Sequence, residues 1–233
     1  MDFSSIYEYP NIGESTSNSH TVQDCIVVLE FIGDDGQHRR QYLDFTCDIK
    51  GINKNDYFFV HAVWQRLFQL KVFDQFDSLE IWSDGGPHHF KTRYCQWMWH
   101  HLSTIYFKGK RITHNFFASY HGHSLADSHA GRVKQVIKSE YISSQQSRMT
   151  NHNQPTYWGP SSANDIQLIL HKRVEHTSAT VLDTIDRDAA LKPNVAGIVD
   201  IKQKHCFVYE GNLCSASEMT NDGKPQFFRF RYL

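Results

Sequence analysis

The chain has 233 residues, with 24 Lys and Arg against 25 Asp and Glu, a formal net charge of -1 and 14% aromatic residues. That length suits one large domain or a core with an appendage, and the aromatic content gives ample material to bury. Near-neutral charge excludes a protein that grips nucleic acid through an overall basic surface, so any contact with phosphates has to be local. No apolar run approaches the roughly 20 residues of a membrane span, and the N-terminus lacks the basic-then-apolar order of a signal peptide, so a soluble, intracellular protein is expected. Cys25, Cys47, Cys95, Cys206 and Cys214 form an odd set with no close pairing and no zinc-knuckle spacing, which points to reduced thiols.

In chain order, residues 25–32 and 40–47 are apolar strand candidates joined through Gly33-Asp34-Asp35-Gly36, a strong hairpin signal. Asn55-Asp56 then caps a predicted helix whose apolar Phe59, Val63, Leu67 and Leu70 keep helical spacing. Leu79-Glu80-Ile81-Trp82 reads as a strand running into Ser83-Asp84-Gly85-Gly86-Pro87. A carboxylate placed where a strand stops, with glycines just after it, sits at the rim of a sheet where a ligand or metal approaches closely. Asp84 is therefore the leading candidate for a working residue. Residues 91–106 repeat apolar side chains at Tyr94, Met98, Leu102 and Ile105, which predicts a helix against a sheet.

Residues 112–120 read as a buried strand, and 124–141 as a helix with Asp127 in its first turn. On that helix Leu125, Val133, Ile137 and Tyr141 are expected to face the sheet, while Asp127, Gly131, Lys134 and Lys138 fall on a different stripe. An acid at a helix N-terminus is also a structural device, worth about 0.3–1 kcal/mol against the helix dipole. Residues 143–162, rich in Ser, Gln, Asn and Pro, read as a linker or long loop. A short helical pattern follows over 163–174 through Ile166, Ile169 and Leu170, capped by Ser162, and Val181, Leu182 and Ile185 give 175–194 its only clear apolar face. Strands are expected over 197–201, continuing to 205–209, and over 226–233. In the last, Phe228, Phe230 and Tyr232 alternate with Arg229 and Arg231. That alternation fits a half-buried strand with one basic face, the favoured reading, and also an aromatic-basic surface for a nucleic acid. There is no internal repeat.

Fifteen histidines are many, and His88, His89, His100, His101, His121, His123 and His129 cluster in sequence around the two acidic motifs. A zinc site from His121, His123 and Asp127 or His129 is chemically open, since imidazole and carboxylate are ordinary zinc ligands, but no familiar zinc spacing is matched.

Three motifs occur in order: Asp2-Phe3-Ser4-Ser5-Ile6-Tyr7, then Ser83-Asp84-Gly85-Gly86-Pro87-His88-His89-Phe90-Lys91, then Phe116-Phe117-Ala118-Ser119-Tyr120-His121-Gly122 ending at Asp127. In this the chain resembles the ribonuclease H-like catalytic core of DDE-type transposases, and a group of transposon-derived eukaryotic proteins in particular. The resemblance covers roughly residues 2 to 140. It implies an α/β fold, a ribonuclease H-like mixed sheet flanked by helices over residues 1–142, followed by the linker at 143–162 and a small α+β appendage over 163–233. It also implies a catalytic and metal-binding set of Asp2 on the first strand, Asp84 at the end of the fourth and Asp127 on the last helix. Such a set holds two Mg²⁺ or Mn²⁺ ions about 3.5–4 Å apart for hydrolysis and strand transfer of DNA phosphodiesters, because a hard cation that keeps several waters needs only two or three carboxylates. DNA is the implied partner and the nucleus the implied location. Self-association is left open, and neither a membrane nor a small organic cofactor is called for.

Only Met1 precedes Asp2, so half of the opening strand is expected to be missing and the chain to be a truncated or decayed transposon product. The alternative takes Asp24 as the first acid on a first strand at 25–32, which leaves one strand too few before the helix. Phosphate contacts are expected from Lys91 and Arg93 beside Asp84 and from Arg132, Lys134 and Lys138 on the last helix, with Lys108, Lys110 and Arg111 as a further group. His121 and His129 are expected in support, hydrogen-bonding a metal-bound carboxylate or a phosphate. A catalytically inactive remnant that binds nucleic acid or protein is the rival reading.

Overall fold

A computed structural model describes residues 2–9, 20–49, 56–85, 90–117, 124–150, 160, 162–183, 185, 193–218 and 225–230. In chain order its elements are β1 (Asp2–Tyr9), β2 (His20–Ile32), β3 (His38–Ile49), α1 (Tyr57–Gln69), β4 (Ser78–Ser83), α2 (Arg93–Tyr106), β5 (Arg111–Phe116), α3 (Leu125–Thr150), α4 (Ala163–Arg173), β6 (Thr177–Val181), β7 (Cys206–Glu210), β8 (Leu213–Ser217) and β9 (Gln226–Phe228). The fold is mixed α/β, and no helix among the described residues is long and apolar enough to cross a membrane. The chain forms two compact units, each built from two main stretches: 2–54 with 123–185, and 55–122 with 186–233.

The first, or meander, unit holds a sheet of order β1-β2-β3-β6. The β2–β3 hairpin runs in unbroken antiparallel register from Thr21↔Ile49 to Ile32↔His38. Its turn is closed by Gly33 N donating to Gln37 O at 2.9 Å, with Gly36 at φ 74°, a backbone that favours glycine. β1 pairs antiparallel with β2, Asp2 opposite Ile26, and β6 pairs parallel with β3. Ile26 packs with Ala126 and Ala130 of α3, while Val22, Val133, Ile137, Ile166, Leu170 and Ala179 form a second cluster that joins β2, α3, α4 and β6. The buried stripe of α3 therefore runs through Ala126, Ala130, Val133 and Ile137, while Leu125, expected to face inward, is 37% exposed. The helix continues over residues expected to be linker as far as Thr150. There Ser144 turns its hydroxyl back onto Tyr141 O at 2.7 Å, keeping that polar group within the helix.

The second unit holds a sheet of order β4-β5-β7-β8-β9, in which β4 and β5 pair in parallel and the other described neighbours antiparallel. Parallel neighbours need a crossover, and α2 supplies it. α1 starts where Asp56 accepts from Phe59 N at 3.3 Å, and α2 where Thr92 accepts from Cys95 N at 3.2 Å. α2 buries Cys95, Met98, Trp99 and Leu102, whereas Ile105 is 46% exposed, so its inward face is rotated from the one expected. Trp64 of α1 meets the edge of Trp99 at 4.4 Å and stacks on Phe73 at 5.6 Å, and these rings join Phe68 in one aromatic layer. Residues 199–203 form turns rather than the expected strand, with Asp200 at φ 52°. The segment expected as one appendage is divided: α4 and β6 belong to the meander unit, and β7, β8 and β9 extend the sheet beyond β5.

Trp64 is 3% exposed within the aromatic layer, so Trp64→Ala removes a large ring that its neighbours cannot refill. Urea unfolding is expected to show a loss of about 3–5 kcal/mol with an unchanged m-value; a loss below about 1 kcal/mol would contradict this packing.

Candidate functional site

The alternation of β4 sets the geometry around Asp84. Leu79, Ile81 and Ser83 are buried while Ser78, Glu80 and Trp82 are exposed, and the next residue, Asp84, continues the exposed phase. The ladder with β5 gains one more rung where Phe117 N donates to Ser83 O at 3.1 Å. A Cβ on Gly85 would stand 3.3 Å from Phe117 O, so glycine lets the two strand ends stay close. Asp84 thus stands at the carboxyl ends of two parallel strands, exposed and with no hydrogen bond or ion pair among the described residues. Below it, Ser83 Oγ and His114 Nε2 are 2.7 Å apart in the interior. Burial pushes the His114 imidazole down to about 3, so it is neutral in the fold. Glu80, also on β4, is already engaged: its Oε1 accepts from Trp82 Nε1 at 2.9 Å and Asn115 Nδ2 at 3.0 Å.

The other two expected acids belong to the meander unit. Asp2 opens β1 opposite Ile26, and its side chain lies outside the described residues. Asp127 stands in the first turn of α3, where its Oδ2 accepts from Ser124 N at 2.8 Å and Ser124 Oγ at 2.9 Å. Asp127 N in turn donates to Ser124 Oγ at 3.2 Å. This reciprocal pair is a capping box with aspartate at its third position, and it gives Asp127 a structural task. His121 and His123 lie outside the described residues. His129 has a partner that differs from the expected one: its Nε2 is 2.9 Å from Asp44 Oδ2, both side chains almost fully buried, and its ring stacks on Tyr42 at 4.3 Å. Asp44 Oδ1 has no hydrogen bond among the described residues. Asp44 pairs in register with Ile26, and Asp24 is two residues away from Ile26 on β2, so the two acids share a sheet face. Among the described residues, no group of three or more His, Cys, Asp or Glu is arranged to hold a metal ion.

The basic residues separate by environment. Lys91 is 5% exposed, donates its Nζ to Lys202 O at 2.8 Å and lies over the Phe116 ring, and burial lowers its pKa. A lysine so placed is held by the protein's own backbone. Lys110 likewise donates to Asp74 O and Phe76 O. Arg93 lies over Tyr94 and donates to its hydroxyl at 2.7 Å. Arg132, Lys134 and Lys138 are exposed along α3. All five cysteines are buried thiols outside any disulfide. Burial holds Cys95 up to about 12 and Cys214 up to about 11, so both stay thiols.

Sequence reasoning missed Asp44 and His114. Each stands in a stretch of strand buried on both faces, Asp44 within 43–47 and His114 within 114–116, so no alternation marked it in the sequence. Two tests follow from these contacts. Asp127→Ala removes the capping box and is expected to cost about 1 kcal/mol in urea unfolding, whereas Asp127→Asn keeps an acceptor for Ser124 N and costs less; equal losses would contradict the cap. For His114, the unfolded chain takes up a proton near 6.5 and the folded chain only near 3. Between those values the unfolded state binds more protons, so stability falls as pH falls, by up to about 1.4 kcal/mol per pH unit. His114→Asn is expected to flatten the fall in stability between roughly pH 6 and pH 4 relative to wild type, and equal slopes in the two proteins would refute the buried neutral imidazole.

No curated protein and no solved structure matches the chain. Residues 14–214 match the model of a family described as a domain of unknown function (DUF8701). That match takes in most of both units, and the chain belongs to this family.

Proposed function

We propose that this chain derives from a transposase with a ribonuclease H-like core, ancestrally a divalent-metal-dependent hydrolase and strand transferase of DNA phosphodiesters. The observation that carries this reading is Asp84, an exposed carboxylate directly after β4 with no partner among the described residues. A carboxylate at the carboxyl end of a strand in a parallel pair is where open α/β sheets place ligands. The order of elements also supports it: three antiparallel strands, then α1, β4, α2, a β5 parallel to β4, and α3 with Asp127 in its first turn. The reading takes Asp2, Asp84 and Asp127 as the acidic set, with DNA as substrate and the nucleus as location. When bound, a pair of Mg²⁺ or Mn²⁺ ions supplies activation of a water or 3′-hydroxyl and stabilisation of the leaving oxygen. The chain's own part is to hold carboxylates as hard oxygen ligands, with Ser83 and His114 anchoring the strand end that carries Asp84. Arg132, Lys134 and Lys138, exposed on the helix of Asp127, are the residues this reading assigns to phosphate contact.

One observation favours the rival, an inactive remnant that keeps the fold as a binding module: Asp127 is engaged in the capping box. Metal affinity separates the two. A ligand that binds only the native state at about 100 times its Kd adds about 2.7 kcal/mol of stability. Thermal unfolding in millimolar Mn²⁺ is expected to raise the Tm of the wild type, and Asp84→Asn is expected to abolish the rise. Cooperative unfolding with no metal effect would sink the two-ion site and leave the remnant.

A further inference from the structure

A cavity of about 850 Å³ opens in the five-stranded unit beside its edge strand β9. Ile198, Val199, Leu213, Phe227 and Phe230 supply its apolar lining and Arg229 its exposed cation. Val199 is 80%, Leu213 61% and Phe227 72% exposed, so large apolar side chains face water around one concavity. Isolated exposed apolar residues need no explanation, but a contiguous group around a pocket marks a binding surface. The charge on that surface has one sign. No Asp or Glu lines the cavity among the described residues. Lys204 lines it too, but is 4% exposed with its Nζ 3.4 Å from Glu218, whereas Arg229 has no ion pair among the described residues. A smaller recess shares Asn212, Cys214, Phe230 and Arg229 and adds His100. His100 stacks on Phe230 at 5.5 Å, with its Nδ1 3.4 Å from Cys214 Sγ, and burial lowers its pKa, so Arg229 remains the cation of this recess.

The ligand that fits is anionic and has flat apolar faces. We infer that this cavity binds single-stranded DNA, with bases stacked on Phe227 and Phe230 and a phosphate on Arg229. Stacking of this kind needs unpaired bases, because a duplex hides their faces, and it tolerates any sequence. A peptide adding to the edge of the sheet is the poorer fit, since β9 has three residues and offers few main-chain partners. The surface also reconciles a near-neutral chain with a nucleic-acid ligand, because the lining is locally cationic. It involves neither Asp84 nor a metal, and so stands apart from the acidic site.

The test is fluorescence anisotropy of a labelled oligothymidine of about 15 nucleotides, within the site sizes of single-strand binders, with the full chain in EDTA and an Asp84→Asn background. Failure of the metal site therefore cannot affect the result. Phe227→Ala is expected to weaken binding by about 5- to 100-fold, without changing the Tm because the ring is exposed. Arg229→Gln is expected to weaken binding and to lower the slope of log K against log salt by roughly 0.7, the value for one phosphate of a single strand. An abasic oligomer is expected to bind weakly and to be indifferent to Phe227→Ala. No oligothymidine binding by the parent chain, equal binding by Phe227→Ala, or equal affinity for the abasic oligomer would each overturn the inference. Loss of self-association in Phe227→Ala, by light scattering, with oligonucleotide affinity intact would overturn it in favour of an interface between two copies.

Discussion

In a strand whose alternate residues are buried, the phase of the next residue is already decided, and in β4 that phase is set by Leu79, Ile81 and Ser83. Asp84 follows in the outward phase at a strand end, where the parallel neighbour β5 ends beside it. In the meander unit β3 is buried on both faces over residues 43–47, with the opposite result for an acid. Asp44 stands opposite Ile26, whose face is covered by Ala126 and Ala130 of α3, so its carboxylate is enclosed and meets His129 instead of water. A chain of near-neutral charge thus carries acids of two kinds, one exposed at a strand end and one enclosed in a strand buried on both faces.

Enclosure makes the buried polar pairs costly to disturb. A carboxylate moved out of water needs a partner, and His129 supplies one for Asp44 Oδ2 while Tyr42 covers the ring. Ser83 and His114 repeat this in the other unit, where the neutral imidazole is the cheaper form to bury. Lys91, with its Nζ on a backbone carbonyl and over the Phe116 ring, shows that a basic residue a few positions from an exposed acid can be enclosed by the protein's own groups.

The aromatic residues have separate uses. Trp64, Phe68, Phe73 and Trp99 form a dry layer in which edge and stacked contacts fill the space between α1 and α2. Phe227 belongs to the same unit but stands in water beside Arg229, where its ring adds no core stability. An exposed ring next to a cation is better suited to a ligand's face than to the protein's own interior.

Much of the local structure was legible in the chain because local rules suffice for it. Gly33-Asp34-Asp35-Gly36 turns the hairpin, Asp56 and Ser162 cap their helices, and the strand ending at Ser83 leaves Asp84 at its rim. Helix faces were less legible, since Leu125 and Ile105 fit an apolar spacing yet Ala126, Cys95 and Trp99 take the buried places; which stripe faces inward depends on the surface it packs against. Residues 143–150 read as loop from their serines, although a helix tolerates serines that bond back to it. By itself the sequence determined the mixed α/β class, the main turns and caps, and the exposed acid at the end of β4. Only the tertiary structure decided that β7 to β9 extend the sheet of β4 and β5, that His129 answers to Asp44, that Lys91 is enclosed and that Phe227 is not. Each of these is a contact between residues far apart in the chain, and no periodicity or spacing within a segment records which distant surface will cover it.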